Sequence, residues 1–335
     1  MILPSCFPFR SALCVAALYF FAFGSVGHAA PQLPRLPEGN YVTVNGARLW
    51  YISEGQGEPI VIISGGPGAA HYLYPYFSAL ALTHRVIYLD SYGCGNSDRA
   101  ASSSQYTFAR HVDEIEGLRQ ALKLEKINLI GHSYGGIVAQ AFAIKYPGSV
   151  KRLILANTFF NAEMWQAGID FGNQMIKLHY PAVWAAMQEL HERGVSPLTK
   201  EWADVVGQIP ASFIYNADFT NEVPLNLDMN PSLLYTLFGR DADFTVGGEF
   251  TTFDTRAGLK NLTLPVLVIA GRMDRVALPA YTEQFKALIP RATFVMVERG
   301  GHNLFQEENA QMLEALRAFL SVDAASPDKP KTILR

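Results

Sequence analysis

The chain has 335 residues, 49% of them hydrophobic and 17% charged, with a formal net charge of −3. That balance describes an ordered globular protein, long enough for one large domain or one domain with an insertion. It offers no electrostatic reason for a nucleic-acid or anionic-membrane partner, and the sequence has no run of Lys and Arg, so nucleic-acid binding is set aside.

Residues 1–30 form a separate segment. Arg10 is the only charge before the apolar run "SALCVAALYFFAFGSV", and small residues follow at Gly27, Ala29 and Ala30. A basic start, a short apolar run and a small-residue end make a secretory signal peptide. The competing reading is a membrane anchor, but the run is shorter than the roughly 20 residues a spanning helix needs. A secreted or periplasmic protein is expected, with no stable membrane insertion after cleavage. Cys6 and Cys14 would leave with the segment, so Cys94 would remain alone and no internal disulfide would form.

From residue 41 onward, strands and helices alternate. "ARLWYISEG" and "PIVIISGG" read as strands, "YLYPYFSALAL" as a helix and "HRVIYLD" as a buried strand. "TFARHVDEIEGLRQALK" sets Val112, Ile115, Leu118 and Leu122 on one helical face. Then come strand "KINLI", helix "YGGIVAQAFAIKY" stopped by Pro147-Gly148, and strand "VKRLILANT". Apolar strands separated by helices predict an α/β fold with a mostly parallel central sheet covered on both faces. Residues 159–260 break this rhythm with helical, aromatic-rich sequence, which predicts an inserted helical lid over a core built from residues 31–158 and 261–322. Strand "PVLVIAG", helix "AYTEQFKALI", strand "ATFVMVE" and helix "NAQMLEALRAFL" complete the core. Residues 323–335 are polar and Pro-containing, and a disordered tail is expected there.

Open parallel sheets bind ligands beyond the carboxyl ends of their strands, so a ligand site is expected among the loops there. Ser133 lies in Gly131-His132-Ser133-Tyr134-Gly135-Gly136 between a predicted strand and helix. A nucleophile on such a sharp turn has a strained backbone and needs neighbours without bulky side chains. The helix behind it aims free N–H groups at a developing oxyanion. The alternative is an ordinary glycine turn.

A serine nucleophile needs a base, and the base needs an orienting acid; in proteins of this architecture they follow in the order Ser, acid, His. Asp274 follows "PVLVIAG", and His302 follows "ATFVMVE" between Gly301 and Asn303. Glu298 is the rival for the acid. In the early loop Ser64 to Gly68, the N–H of Gly66 would pair with that of Tyr134 as an oxyanion hole. A phosphate-binding loop is the other reading of "GGPG", but there is no Gly-Lys-Ser/Thr and Pro67 removes a donor. Cys94, between two glycines, reads as a small buried residue, and neither a His-Glu-x-x-His nor a Cys pair points to a metal.

Ser64-Gly65-Gly66-Pro67-Gly68 and Asp90-Ser91-Tyr92-Gly93-Cys94-Gly95-Asn96-Ser97 resemble the proline iminopeptidases of the α/β-hydrolase superfamily, over residues 41 to about 320, whereas the elbow Gly131-His132-Ser133-Tyr134-Gly135-Gly136 differs from the Gly-Gly-Ser-Trp-Gly-Ser of many proline-releasing members. Ser64 and Tyr92 stand where that family usually has His and Arg. The resemblance implies the α/β-hydrolase fold, acyl transfer without a cofactor, and lid carboxylates that hold a substrate's free amine. Asp243, Glu222, Glu249 and Asp241 are candidates for that role, Asp243 the best placed by resemblance; a solvated lid face is the alternative. The expected substrate is a small amide, a short peptide or, in the alternative reading, an ester or lactone. A non-catalytic ligand receptor on the same fold is the third reading.

Overall fold

A computed structural model describes residues 38–218, 220 and 228–321. The expected signal peptide, the expected disordered tail and Glu222 lie outside the described residues.

Eight strands make one sheet: β1 (Asn40–Val44), β2 (Ala47–Glu54), β3 (Glu58–Ile63), β4 (His84–Leu89), β5 (Ile127–His132), β6 (Val150–Ala156), β7 (Val266–Gly271) and β8 (Thr293–Val297). Their order across the sheet is β1-β2-β4-β3-β5-β6-β7-β8. The β1–β2 and β2–β4 pairs are antiparallel and all the others parallel. The strand β1 falls where no element is predicted. Its Val42 and Val44 alternate with polar Thr43 and exposed Tyr41, the pattern of an edge strand with one wet face.

The central strands β5 and β7 are buried along their whole length, because both faces of the sheet are covered. Val61, Leu129, Leu153 and Val268 join one core with Val112, Ile115, Ile137 and Phe142 from α1 (Phe108–Ala121) and α2 (Tyr134–Lys145). Ile60, Ile62, Ile130, Ile154 and Leu267 point to the opposite side and pack with Phe77, Leu80, Leu313 and Leu316. Successive residues of each strand thus feed two different cores.

Between β6 and β7 the described chain forms α3 (Ala162–His179), α4 (Pro181–Glu192), α5 (Lys200–Val206), α6 (Ala211–Tyr215), α7 (Pro231–Phe238) and α8 (Arg256–Lys260). Ile176, Val183, Met187, Leu190, Trp202 and Phe213 make a third, separate core within this insertion. After β7 come α9 (Pro279–Thr282) and α10 (Phe285–Leu288), and after β8 come α11 (Leu304–Glu307) and α12 (Asn309–Leu320).

Two predicted helices differ from expectation. Residues 72–82 form turns and a short 3₁₀ helix, Ser78–Leu82. Pro75 has no N–H to offer a preceding carbonyl, and the bonds around it close over three residues: Tyr74 N–H to His71, Tyr76 N–H to Leu73 and Ser78 N–H to Pro75. Residues 280–289 split into α9 and α10, joined by three-residue turns such as Gln284 N–H to Tyr281 and Ala287 N–H to Gln284. Among the described residues no helix is long and apolar enough to cross a membrane.

Candidate active site

Ser133 sits at the junction of β5 and α2 with φ 53° and ψ −122°. This is a conformation L-residues rarely adopt, and the surroundings hold it in place. Its N–H donates to the Ala156 carbonyl at 3.0 Å, and its own carbonyl accepts the Thr158 hydroxyl at 2.7 Å. The glycines on either side are required by space. A Cβ on Gly131 would lie 2.3 Å from the Gly135 oxygen, and one on Gly135 would lie 2.2 Å from the Ile63 oxygen. The turn therefore packs backbone to backbone against the end of β3.

The loop after β3 lies directly over this turn. A Cβ on Gly65 would stand 2.7 Å from the Cβ of Ser133. The Gly65 N–H is committed to the Tyr72 hydroxyl at 3.0 Å, while Gly66 takes a left-handed φ of 57°. Tyr134, the first residue of α2, is anchored at its far end. Its hydroxyl donates to Nδ1 of His111 at 2.8 Å, since Nε2 of that ring must donate to the Tyr92 carbonyl at 3.0 Å. Burial lowers the His111 pKa to about 4, which keeps the ring neutral and this arrangement intact.

The loops after β7 and β8 bring Asp274 and His302 together. Nδ1 of His302 donates to Asp274 at 2.9 Å to Oδ2 and 3.1 Å to Oδ1, and both residues are buried. Asp274 also accepts from Asn157 Nδ2 at 2.6 Å and from the N–H groups of Val276 and Ala277 at 2.7 and 2.9 Å. Burial alone would raise its pKa. The His302 charge, the His302 hydrogen bond and the other donors outweigh that and hold the carboxyl below its ordinary value. His302 in turn is tied to the turn that carries Ser133, its carbonyl accepting from Nε2 of His132 at 2.9 Å.

The helical insertion grips the loop that carries His302. The Tyr215 carbonyl accepts the His302 N–H at 2.7 Å, and Glu307 accepts the N–H groups of Ala217 and Gly301 at 2.6 and 2.8 Å. Arg275 donates to the Asn216 carbonyl at 2.6 Å.

The other candidates fall elsewhere. Glu298 forms a surface ion pair with Arg272 at 3.1 Å and takes no part in the His302 bond. Glu249 accepts the N–H of Phe108 at 2.9 Å, at the first turn of α1. Asp241 is exposed, 3.4 Å from His191. Asp243 is buried in the insertion, where it accepts the Tyr235 hydroxyl at 2.9 Å, with Trp202 Nε1 approaching but not completing a bond of normal geometry. Burial raises its pKa to about 7. Cys94 is buried between its glycines, and burial pushes its thiol upward, away from thiolate chemistry. Among the described residues no group of three His, Cys, Asp or Glu is placed to hold a metal ion.

Asn157 is absent from the sequence-derived candidates. Its Nδ2 bridges Asp274 and the Gly301 carbonyl at 3.0 Å, from a left-handed backbone at φ 45° just past β6. The available signal is the strand-end rule that selects Asp274 and His302; in "LILANT" the asparagine reads as a continuation of the strand.

Known proteins share the fold of this chain. Residues 58–220 match the family described as alpha/beta hydrolase fold. The crystal structure of VinJ superposes with a TM-score of 0.72 at 22% identity, covering 84% of this chain and 98% of that one. The proline iminopeptidase of Mycobacterium smegmatis superposes with a TM-score of 0.65 at 23% identity, covering 85% of this chain and 100% of that one. The chain is a hydrolase of the α/β-hydrolase fold. Within that class it is similar to the proline iminopeptidases: that of Heyndrickxia coagulans is 29% identical over 289 residues, 84% of this chain and 98% of that protein.

Proposed function

We propose that the protein is an exported serine hydrolase that cleaves small amide or N-terminal peptide bonds through an acyl-enzyme, in the manner of a proline iminopeptidase-like aminopeptidase or amidase. The observation that carries this reading is the buried Asp274–His302 pair, hydrogen-bonded at 2.9 Å and tethered to the residue before the strained Ser133.

In this reading His302 takes the Ser133 proton as the hydroxyl attacks the substrate carbonyl, and Asp274 holds the ring with Nδ1 protonated and stabilises the imidazolium. The N–H groups of Gly66 and Tyr134 receive the oxyanion. His302 then protonates the leaving amine, and water, deprotonated by the same ring, releases the acyl group. The likeness to proline iminopeptidases favours an N-terminal amide substrate. The insertion's seat on the His302 loop favours small substrates over folded proteins. Export rests on the sequence of residues 1–30, and amino-terminal sequencing of the purified protein tests it: a start after Ala29 or Ala30 supports cleavage.

A second reading, a carboxylic-ester or lactone hydrolase using the same triad, is favoured by the state of the lid carboxylates. Glu249 is committed to α1, and Asp243 already has Tyr235 as partner with a pKa near neutrality. An ester without an amine needs neither. Aminoacyl arylamides with free and N-acylated termini, assayed beside aryl esters with Ser133→Ala as control, separate the two. Amide cleavage lost on N-acylation supports the aminopeptidase, and ester turnover without amide cleavage overturns it.

A further inference from the structure

His132 precedes the nucleophile and takes no part in the chemistry proposed above, yet it is buried at 2% exposure and both its ring nitrogens are bound. Nε2 lies 2.9 Å from the His302 carbonyl, which has no hydrogen, so Nε2 must carry the proton and donate it. A neutral ring then presents a bare lone pair at Nδ1, and the Tyr72 hydroxyl, 2.8 Å away, must donate to it. With its proton so directed, the Tyr72 oxygen is free to accept the Gly65 N–H at 3.0 Å. Every donor in this chain of three bonds has one acceptor, and the direction of each bond follows from the first.

The chain joins three separate strand ends. Gly65 belongs to the loop after β3, next to Gly66; His132 closes β5; and His302 belongs to the loop after β8. The surroundings leave it no slack. A Cβ on Gly65 would fall 2.6 Å from the Tyr72 oxygen and 2.9 Å from His132 Nδ1. Phe305 packs edge-on against His132, with centroids 5.0 Å apart, and touches Tyr72 at 5.7 Å. Burial, then the charge of His302, lowers the His132 pKa to about 3, so the ring stays neutral and the bond directions hold.

We infer that Tyr72 and His132 are positioning residues, forming a hydrogen-bonded clamp that sets the oxyanion-binding loop and the general-base loop at fixed distances from Ser133. This rests on the triad reading above. Catalysis by preorganised donors depends on their aim, and one lost donor costs roughly 10²–10³-fold in rate. A donor left in place but loosely aimed costs less.

The test is the inactivation of the purified full chain by a fluorophosphonate, which measures Ser133 attack whatever the natural substrate. The maximal inactivation rate and the half-saturating concentration are determined for wild type, Tyr72→Phe, His132→Gln, the double variant and Ser133→Ala, with thermal unfolding in parallel. Tyr72→Phe removes only an oxygen and keeps the ring packed, so it carries the test even where His132→Gln fails to fold. The clamp requires the maximal rate of Tyr72→Phe to fall about ten-fold or more, with the half-saturating concentration within about two-fold. It also requires the double variant to be no slower than the slower single variant, because the bonds act as one unit. A wild-type maximal rate in Tyr72→Phe beside an unlabelled Ser133→Ala overturns the clamp alone, as does a double variant whose loss is the product of the two single losses. Labelling of Ser133→Ala at the wild-type rate overturns the triad reading and the clamp with it.

Discussion

Asp274 and His302 stand 28 residues apart in the chain, and Oδ2 of one lies 2.9 Å from Nδ1 of the other. The carboxylate is otherwise saturated by Asn157 and two backbone N–H groups, so it has no freedom to turn away. Asp274→Asn keeps the volume but removes the charge and the reason for the proton to sit on Nδ1. Turnover is expected to fall on the order of 10⁴-fold with the fold intact. Steady-state kinetics beside circular dichroism check this; a loss under ten-fold contradicts it.

The same carboxylate shapes the acid limb of stability. Its pKa is lowered on folding, so its contribution is complete above the unfolded value near 3.8 and is lost as the pH falls through the lower, folded value. Urea unfolding of the wild type below about pH 4 is therefore expected to lose stability more steeply than that of Asp274→Asn. Parallel curves would show that the pair contributes nothing on folding.

Asp243 behaves in the opposite sense. Its folded pKa of about 7 lies above its unfolded value, so the folded state keeps a proton that the unfolded state releases. Its contribution to stability falls as the pH rises from about 4 to about 7 and is level beyond. Asp243→Asn is expected to remove this slope and to be the more stable protein at pH 8. If Asp243 instead pairs a substrate amine, the same variant raises KM for free-amine substrates and leaves ester kinetics unchanged.

Asn157 supports the pair from behind. Asn157→Ala leaves the Gly301 carbonyl and one Asp274 lone pair buried without a partner, which costs roughly 1–3 kcal/mol. Denaturant unfolding should show that loss together with reduced turnover. Full activity at reduced stability would make Asn157 a purely structural residue.

The strain at Ser133 separates two substitutions by stability. Glycine adopts φ 53°, ψ −122° freely, whereas alanine keeps a strain of roughly 1–3 kcal/mol, against a chain-entropy cost for glycine of about 0.5–1 kcal/mol. Ser133→Gly is expected to unfold at a higher denaturant concentration than Ser133→Ala. The reverse order would mean that the turn is relaxed.

The sheet is readable because β3, β5, β6 and β7 are largely buried on both faces and mostly apolar, with residues 60–63, 153–156 and 266–270 uninterrupted. Ser133, Asp274 and His302 are candidates from sequence because they follow strands of the sheet in a fixed order, and the structure brings Asp274 and His302 to 2.9 Å. Strand β1 was missed because its solvent-exposed face dilutes the apolar signal to Val42 and Val44. The helix expected at 72–82 failed on Pro75, a single missing N–H that the apolar spacing does not register. Asn157, Tyr72 and His132 were hidden for another reason. Each is tied by a hydrogen bond to a residue distant in sequence, Asn157 to Asp274, Tyr72 to His132 and His132 to His302, and no local pattern encodes such a partner. The lid carboxylates were candidates by resemblance alone. Their burial, partners and protonation come from tertiary packing, as the contrast between exposed Asp241 and buried Asp243 shows.

In the proposed mechanism Ser133 is the nucleophile activated by His302 and Asp274. Labelling the purified protein with a fluorophosphonate and locating the adduct by peptide mass spectrometry tests it most directly. A Ser133–His302–Asp274 triad gives a single adduct on Ser133, absent in Ser133→Ala and formed far more slowly in Asp274→Asn and His302→Ala; an adduct on another residue, or undiminished labelling of Ser133→Ala, would contradict it.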